Sequence, residues 1–490
     1  MPLHQAEVPL LFELSRPGRR GVELPACDVE AEPLESLLPE GALRADLPLP
    51  ELSEPEVIRH FTNLSQRTYS IDSGFYPLGS CTMKYNPKLH ENVARLPGFA
   101  RLHPYAPDDQ AQGALEVMYE MQRALAEIAG MDAVSLQPAA GAHGELLGLM
   151  LIKAYHQDRG QDEGRDVILV PEAAHGTNPA SAARCGYKTV SVKSDARGRT
   201  DLAHLKTLLD DRVAGLMLTN PNTLGLFETE IREITDLIHA AGGLVYCDGA
   251  NMNALVGRAR PGDMGFDVMH YNLHKTFSSP HGGGGPGSGP VAVKAILEPF
   301  LPVPIARRDA GGRYSQETDR PKSIGRIASY HGSFMAILRA WLLILYYGRE
   351  NLSRISENAV LHANYVKARL SDILPPAYDE ICMHEVVFSA RTLAKQTGIK
   401  AYDIAKRLID YGYHPPTIYF PLIAPEALMV EPTETESVET LDAFIDAMRA
   451  IVREAAEEPD LLRNAPTKAP VRRLDEATAA RQPNLRWGCC

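Results

Sequence analysis

Six short β-rich runs separated mainly by helical stretches occupy the middle of the chain, and this alternation constrains the fold more than any other feature. The candidate strands are 166–170, 188–192, 213–219, 243–248, 267–271 and 290–294, with helical stretches around 145–157, 179–185, 202–210 and 228–241. Strands joined through helices line up parallel, because a parallel pair needs a long crossover where an antiparallel pair needs only a tight turn. The pattern therefore predicts an α/β fold around a mostly parallel sheet covered on both faces. Just upstream, 114–128 is an apolar-periodic helix closed by Gly130.

The flanks differ. Residues 1–58 hold nine prolines and no sustained period, so they form either an arm lying on another surface or a tail, and the composition leans towards the tail. A large domain is expected over 59–345. Its exit is 333–348, apolar nearly all round and hence a buried helix. A smaller C-terminal α/β domain, 346–490, should contain a strand at 384–389, a helix over 393–411 and an extended run at 417–422. A last helix should start at a capping box of Thr433 and Glu436, before an irregular tail.

Composition removes whole classes of function. The chain has 490 residues, 44% hydrophobic and 23% charged, which is ordinary globular composition. A formal charge of −12 disfavours nucleic acid as a partner, since phosphate neutralisation needs a basic face. No apolar run approaches the ~18–20 residues of a membrane span, and no basic segment precedes an apolar one near the start, so neither a membrane anchor nor a secretory signal is expected. Seven cysteines without a CxxC spacing fit a reducing, cytoplasmic setting. No metal ligand is assigned.

Four features fall at the carboxyl ends of strands, where open α/β sheets bind ligands. Lys275 follows the strand in DVMHYNLHK and precedes His281 and the six glycines of 282–289. Asp248 ends the strand in GLVYCDGANMNALVG. In LQPAAGAHGELLGL, small residues lead into a helix whose first N–H groups, on Gly141 and Ala142, suit a phosphate. In PEAAHGTNPASA, His175 can stack on a planar ring and Thr177 can offer a hydroxyl. Each has an ordinary alternative: a solvated lysine, a turn aspartate, a common helix start, a structural histidine. Together they favour a pyridoxal phosphate (PLP) site, which requires a lysine and a carboxylate over one crevice. No GxxxxGK[ST] occurs, which disfavours an ATP-type loop.

The segments HKTFSSPHGGGGPGSGP, CDGANMNALVG with PGDMGFDVMHYNLHK, AAHGTNPASA and FYPLGSCTMKYNP resemble the glycine dehydrogenase (decarboxylating) family, the P-proteins of the glycine cleavage system. The likeness covers the chain from about Ser53 onward and matches the lysine-bearing half of those proteins that carry both halves in one chain. It implies a PLP-dependent enzyme of the aspartate aminotransferase fold, type I. Lys275 then matches the Schiff-base lysine, Asp248 the partner of the pyridine nitrogen and His175 the stacking residue. The turn Ala140, Gly141, Ala142 matches a phosphate-binding turn, although AAGAH departs from the SGAQ of many relatives. His274 falls near the phosphate or the lysine, and Thr177 and Asn222 are contacts to a ring oxygen.

The implied reaction decarboxylates glycine, releases CO2 and passes the aminomethyl group to the oxidised lipoyl arm of H-protein. The implied partners are a companion subunit 1, in a heterotetramer with two copies of each chain, and lipoylated H-protein, with the arm and the 282–289 loop bounding a tunnel for the lipoyl group. A self-sufficient PLP amino-acid decarboxylase or desulfurase is the alternative; the lack of a catalytic cysteine motif and the polyglycine loop count against it. A scaffold that has lost its cofactor is opposed by Lys275 and Asp248. Cys81, close to Lys84, is either a thiol of lowered pKa that could pair with Cys489 or Cys490, or an inert packed one.

Overall fold

The computed structural model describes residues 8–44, 47–282 and 287–485, and in it the expected alternation closes into a seven-stranded mixed sheet. Its strands are β1 (Ala133–Ser135), β2 (Val167–Pro171), β3 (Lys188–Val192), β4 (Val213–Thr219), β5 (Leu244–Gly249), β6 (Val268–Tyr271) and β7 (Val291–Val293). Their order is β1-β7-β6-β5-β4-β2-β3. β2 to β6 are parallel, while β7 runs antiparallel to both β6 and β1. The central strands are apolar on both faces because both faces are covered. Along β5, Val245 and Cys247 join a core with Met121, Leu125 and Ile234, while Leu244 and Tyr246 face Leu147, Leu151 and Val268 on the other side. The strand's period of two divides these layers.

Two glycines let the helices meet the sheet. Gly130, at φ 67°, ends helix Gln112–Ala129 in the left-handed conformation the sequence predicts. A Cβ at Gly148 would lie 2.3 Å from Tyr246 Cε2, so helix Gly141–Asp158 approaches β5 closely only because that residue is glycine.

A hairpin, β8 (Ile305–Arg308) and β9 (Tyr314–Glu317), follows, and then a second, antiparallel sheet of β10 (Val386–Ser389), β11 (Thr417–Ile418) and β12 (Ala427–Val430) in the order β10-β12-β11. Helices Ser353–Leu370 and Val438–Glu457 cover it, with Phe388, Phe444, Ile445 and Met448 in its core. Both sheets lie in one compact unit, 75–467; residues 1–74 with 468–490 form another. Within the latter, helix Glu54–Ser65 starts at Ser53, whose N–H donates to Glu56 Oε2 at 2.9 Å, and the described residues before it contain the single turns Leu11–Leu14 and Leu34–Leu37. Among the described residues no helix is long and apolar enough to cross a membrane.

Several local expectations are corrected. The helix expected over 393–411 is two helices, Arg391–Thr397 and Ala401–Asp410, because Gly398 at φ 75° stops the first. The last helix is capped by Ser437, whose Oγ accepts from Thr440 N–H, and not by a Thr433–Glu436 box; Thr433 sits at φ 58°. Helix Phe334–Asn351 is not buried all round, since Leu345 and Tyr346 are exposed. Burial pushes the Cys81 thiol up rather than down, and Lys84 pairs with Glu434 and donates to Thr276 O at 2.6 Å. Cys489 and Cys490 lie outside the described residues.

Phe444 is fully buried, with ring centroids 5.1 Å from Phe75 and 5.5 Å from Tyr413. Phe444→Ala should lose about 3–5 kcal/mol of stability through lost burial and the cavity left behind. Denaturant unfolding monitored by circular dichroism measures this.

Candidate active site

The carboxyl ends of β2, β4, β5 and β6 open onto one cavity of about 310 Å³, within the range of small-molecule sites. Gly141, Ala142, His175, Thr177, Asn222, Asp248, His274 and Lys275 all line it. Eight of the nine residues singled out from sequence therefore meet in one place. Ala140, the ninth, is the N-cap of helix Gly141–Asp158, and its carbonyl accepts from Gly144 N–H at 3.0 Å.

Asp248 is buried at the end of β5. Burial opposes its ionisation, but His270, the Asn178 hydrogen bond and Lys275 outweigh it and hold the carboxyl below its ordinary range. Asn178 Nδ2 donates to Oδ2 at 3.0 Å, Ala250 N–H donates to Oδ1 at 3.1 Å, and His270 Nε2 stands 3.6 Å from Oδ1. Lys275 sits in the turn after β6, where its N–H donates to Asn272 O at 3.0 Å. That turn is packed tightly: a Cβ at Gly141 would lie 2.3 Å from Asn272 Oδ1, and one at Gly289 would lie 2.1 Å from Ala140 O.

His175 presents its ring at the cavity, edge-on to Phe420 at 5.7 Å, with Nδ1 2.8 Å from Thr177 Oγ1. Asn222 is engaged by its own turn: Oδ1 accepts from the N–H groups of Leu224 and Leu226, and Nδ2 donates to Gly198 O. Burial and the nearby Lys275 drive His274 down to about 4, so its imidazole is neutral.

Sequence reading missed Glu145, Asn178, His270, His384, Glu385 and Glu431. The first two carry a faint signal: Glu145 lies one helical turn from Gly141 and Asn178 follows Thr177. The Glu145 carboxylate is buried, accepts from Thr177 Oγ1 at 2.6 Å and from Ser181 Oγ at 3.1 Å, and is pushed up to about 7 by burial and by the Asp248 charge. A carboxyl whose pKa rises on folding binds its proton more tightly in the native state. Its contribution to stability is complete below the ordinary 4.5 and is lost as pH rises through about 7. Glu145→Gln removes that titration, so between these pH values the variant should gain stability relative to wild type, as read by urea unfolding across the range.

Comparison with known proteins agrees with this geometry. Residues 148–285 match the aminotransferase class-V family and 355–468 match the glycine dehydrogenase C-terminal domain. A solved glycine decarboxylase (P-protein) of the glycine cleavage system, in inhibitor-bound form, superposes with a TM-score of 0.71 at 21% identity, over 85% of this chain and 94% of that one, a likeness of fold. Among sequence relatives, a protein of Caldanaerobacter subterraneus named as a probable glycine dehydrogenase (decarboxylating) subunit 2 is 59% identical over 98% of both chains. A protein of the same name from Alkaliphilus oremlandii is 58% identical over 98% of both. Full-length identity at this level, on a fold that brings a lysine and a buried carboxylate to one cavity, makes this chain a member of the glycine dehydrogenase (decarboxylating) subunit 2 family.

Proposed function

We propose that this chain is the lysine-bearing subunit of a glycine decarboxylase that holds PLP at Lys275, releases the glycine carboxyl as CO2 and passes the aminomethyl group to the oxidised lipoyl arm of H-protein. The observation that carries this reading is Asp248, held ionised inside the cavity that Lys275 enters. The full-length relatives support it by their shared name. These full-length relatives do not favour a self-sufficient decarboxylase or desulfurase.

The residues present fit PLP. A planar cation-forming ring suits a cavity with one ionised carboxylate at its base. A phosphate suits the N-terminus of helix Gly141–Asp158, beside which the buried Ser288 Oγ is without a partner. Lys275 would hold the cofactor at its aldehyde carbon, Asp248 would hold a proton on the pyridine nitrogen, and His175 would stack on the ring. Ala140, Gly141 and Ala142 would bind the phosphate with His274 beside them, and Thr177 would meet the ring oxygen. Asn222 enters as the residue that shapes the neighbouring turn. When bound, the cofactor supplies an electron sink for the pair left behind by CO2.

The chain's own part is orientation and proton control. Among the described residues that line the cavity there is no arginine. A strong clamp on the departing carboxylate would stabilise the ground state more than the transition state. A mainly apolar cavity of about 570 Å³ has Ser279 and Pro280 in its wall, next in sequence to His281 of the Lys275 cavity, which supports a route for a long, flexible arm. The name subunit 2 supports a companion subunit, and a heterotetramer with two copies of each chain belongs to this reading. So do an arm over 1–58, a cofactor domain over 59–345, a small domain over 346–490 and a cytoplasmic location, the last supported by five free cysteines among the described residues.

With PLP added, wild type should show a band between roughly 390 and 430 nm that borohydride abolishes. Lys275→Ala should lack it while keeping its fold, and Asp248→Asn should keep it but exchange glycine with bicarbonate about 100-fold more slowly or worse. The chain combined with its companion subunit and lipoylated H-protein should exchange the glycine carboxyl with bicarbonate, and the chain alone should be poorly active. No exchange in the complete mixture overturns the reading.

A further inference from the structure

A second pair of buried carboxylates faces Lys275 from the small sheet. Glu385 immediately precedes β10 and Glu431 immediately follows β12; because Val386 pairs with Val430, the two glutamates stand opposite each other at the end of the ladder. With His384 they form a wholly buried cluster whose polar atoms lie within 4.8 Å of one another. Backbone packing fixes it there, for Met383 N–H donates to Gly225 O at 2.7 Å and a Cβ at Gly225 would lie 2.1 Å from Glu385 O. Glu385 and His384 both line the Lys275 cavity.

The two carboxylates are supported unequally. Burial raises the Glu431 carboxyl too, but Glu431 accepts from Thr82 N–H at 3.0 Å, Thr82 Oγ1 at 2.7 Å and Asn251 Nδ2 at 2.9 Å, three donors that favour its anion and that Glu385 lacks. Glu385 accepts from Ser80 N–H at 2.8 Å through Oε2, leaving Oε1 towards His384 Nε2 at 3.8 Å. Like charges this close and this buried cannot both ionise. Burial and the Glu431 charge hold Glu385 well above the carboxylate range. The other titratable groups around it are His384, driven down to about 3 by burial, the Cys81 and Cys382 thiols, both pushed up by burial, and the Lys275 amine. None of the first three carries charge at neutral pH.

We propose that Glu385 is the proton donor that completes transfer to the lipoyl disulfide, with Glu431 as the positioning anion that keeps the proton on it. The proposal rests on the lipoyl-transfer reading above. In that transfer the bonding pair released by loss of CO2 ends in a new carbon–sulfur bond, the sulfur–sulfur bond breaks, and its pair goes to the second sulfur. The disulfide is thereby reduced by two electrons taken from the glycine carbon–carboxylate bond, and the second sulfur must take up one proton to leave as a thiol. Glu385 supplies that proton and solvent returns it after the arm departs. A resident cation is the competing use of this cluster, but Glu431 already accepts three hydrogen bonds.

The test uses the PLP-loaded complex of both subunits with lipoylated H-protein. Infrared difference spectra at neutral pH should contain a protonated-carboxyl C=O band that Glu385→Gln removes, with or without PLP. The same variant should still change its visible absorbance on adding glycine, while aminomethyl transfer to H-protein falls about 100-fold or more. Glu431→Gln removes the like charge, so Glu385 ionises more easily, and the alkaline fall in transfer rate should move to lower pH. Wild-type transfer with an unchanged rate in Glu385→Gln, protonated-carboxyl absorption that Glu385→Gln leaves unchanged, or a stoichiometric metal ion lost in Glu385→Gln would each overturn the proposal. No transfer by wild type would instead sink the lipoyl reading on which it stands.

Discussion

An ionised carboxylate in the interior is the constraint around which this molecule is organised. Taking a charge out of water costs several kcal/mol unless hydrogen bonds and opposite charges replace the lost hydration. Asp248 meets that requirement from three directions: Asn178 on helix Thr177–Arg184, the Ala250 N–H beyond β5, and His270 on β6. Each contact fixes one element relative to its neighbour, so the charge defines the crevice. Glu145, the next carboxylate, then cannot ionise freely beside it, and its proton is retained to about pH 7.

The same electrostatics recur on the opposite wall with a different result. Glu385 and Glu431 come from two strands of the small sheet, and their unequal donors decide which one keeps a proton. Lys275 thus lies between one carboxylate held as an anion and another held as an acid. Pairs of titratable groups driven apart in pKa by their surroundings mark the positions where a site moves charge. A decarboxylation followed by disulfide opening needs both: an anion that stabilises positive charge on a ring nitrogen, and an acid for the departing sulfur.

Much of the large sheet was legible in advance, since runs such as VAGLMLT and LVYCDG are apolar on both faces wherever a parallel sheet is doubly covered. Asp248 and Lys275 stand out together, because a carboxylate and a lysine just past two strand ends of one parallel sheet share a crevice. The small sheet was harder. Residues 393–411 keep helical spacing across Gly398, so periodicity alone does not reveal the break, and β12 is too short to be told from a buried helical turn. Asn222 comes from the family resemblance alone, and in the structure its Oδ1 is engaged by the N–H groups of Leu224 and Leu226 in its own turn.

By itself the sequence determined the α/β class, the position of Lys275 and Asp248 at adjacent strand ends and the glycines that allow close approach, because period, apolarity and backbone permissiveness are local properties of the chain. Only the tertiary structure decided the charge states. Glu145 is 103 residues from Asp248, and Glu385 and Glu431 meet through the pairing of β10 with β12. Whether a carboxyl is an anion or an acid depends on burial, donors and neighbouring charge, and those exist only once distant segments are packed together.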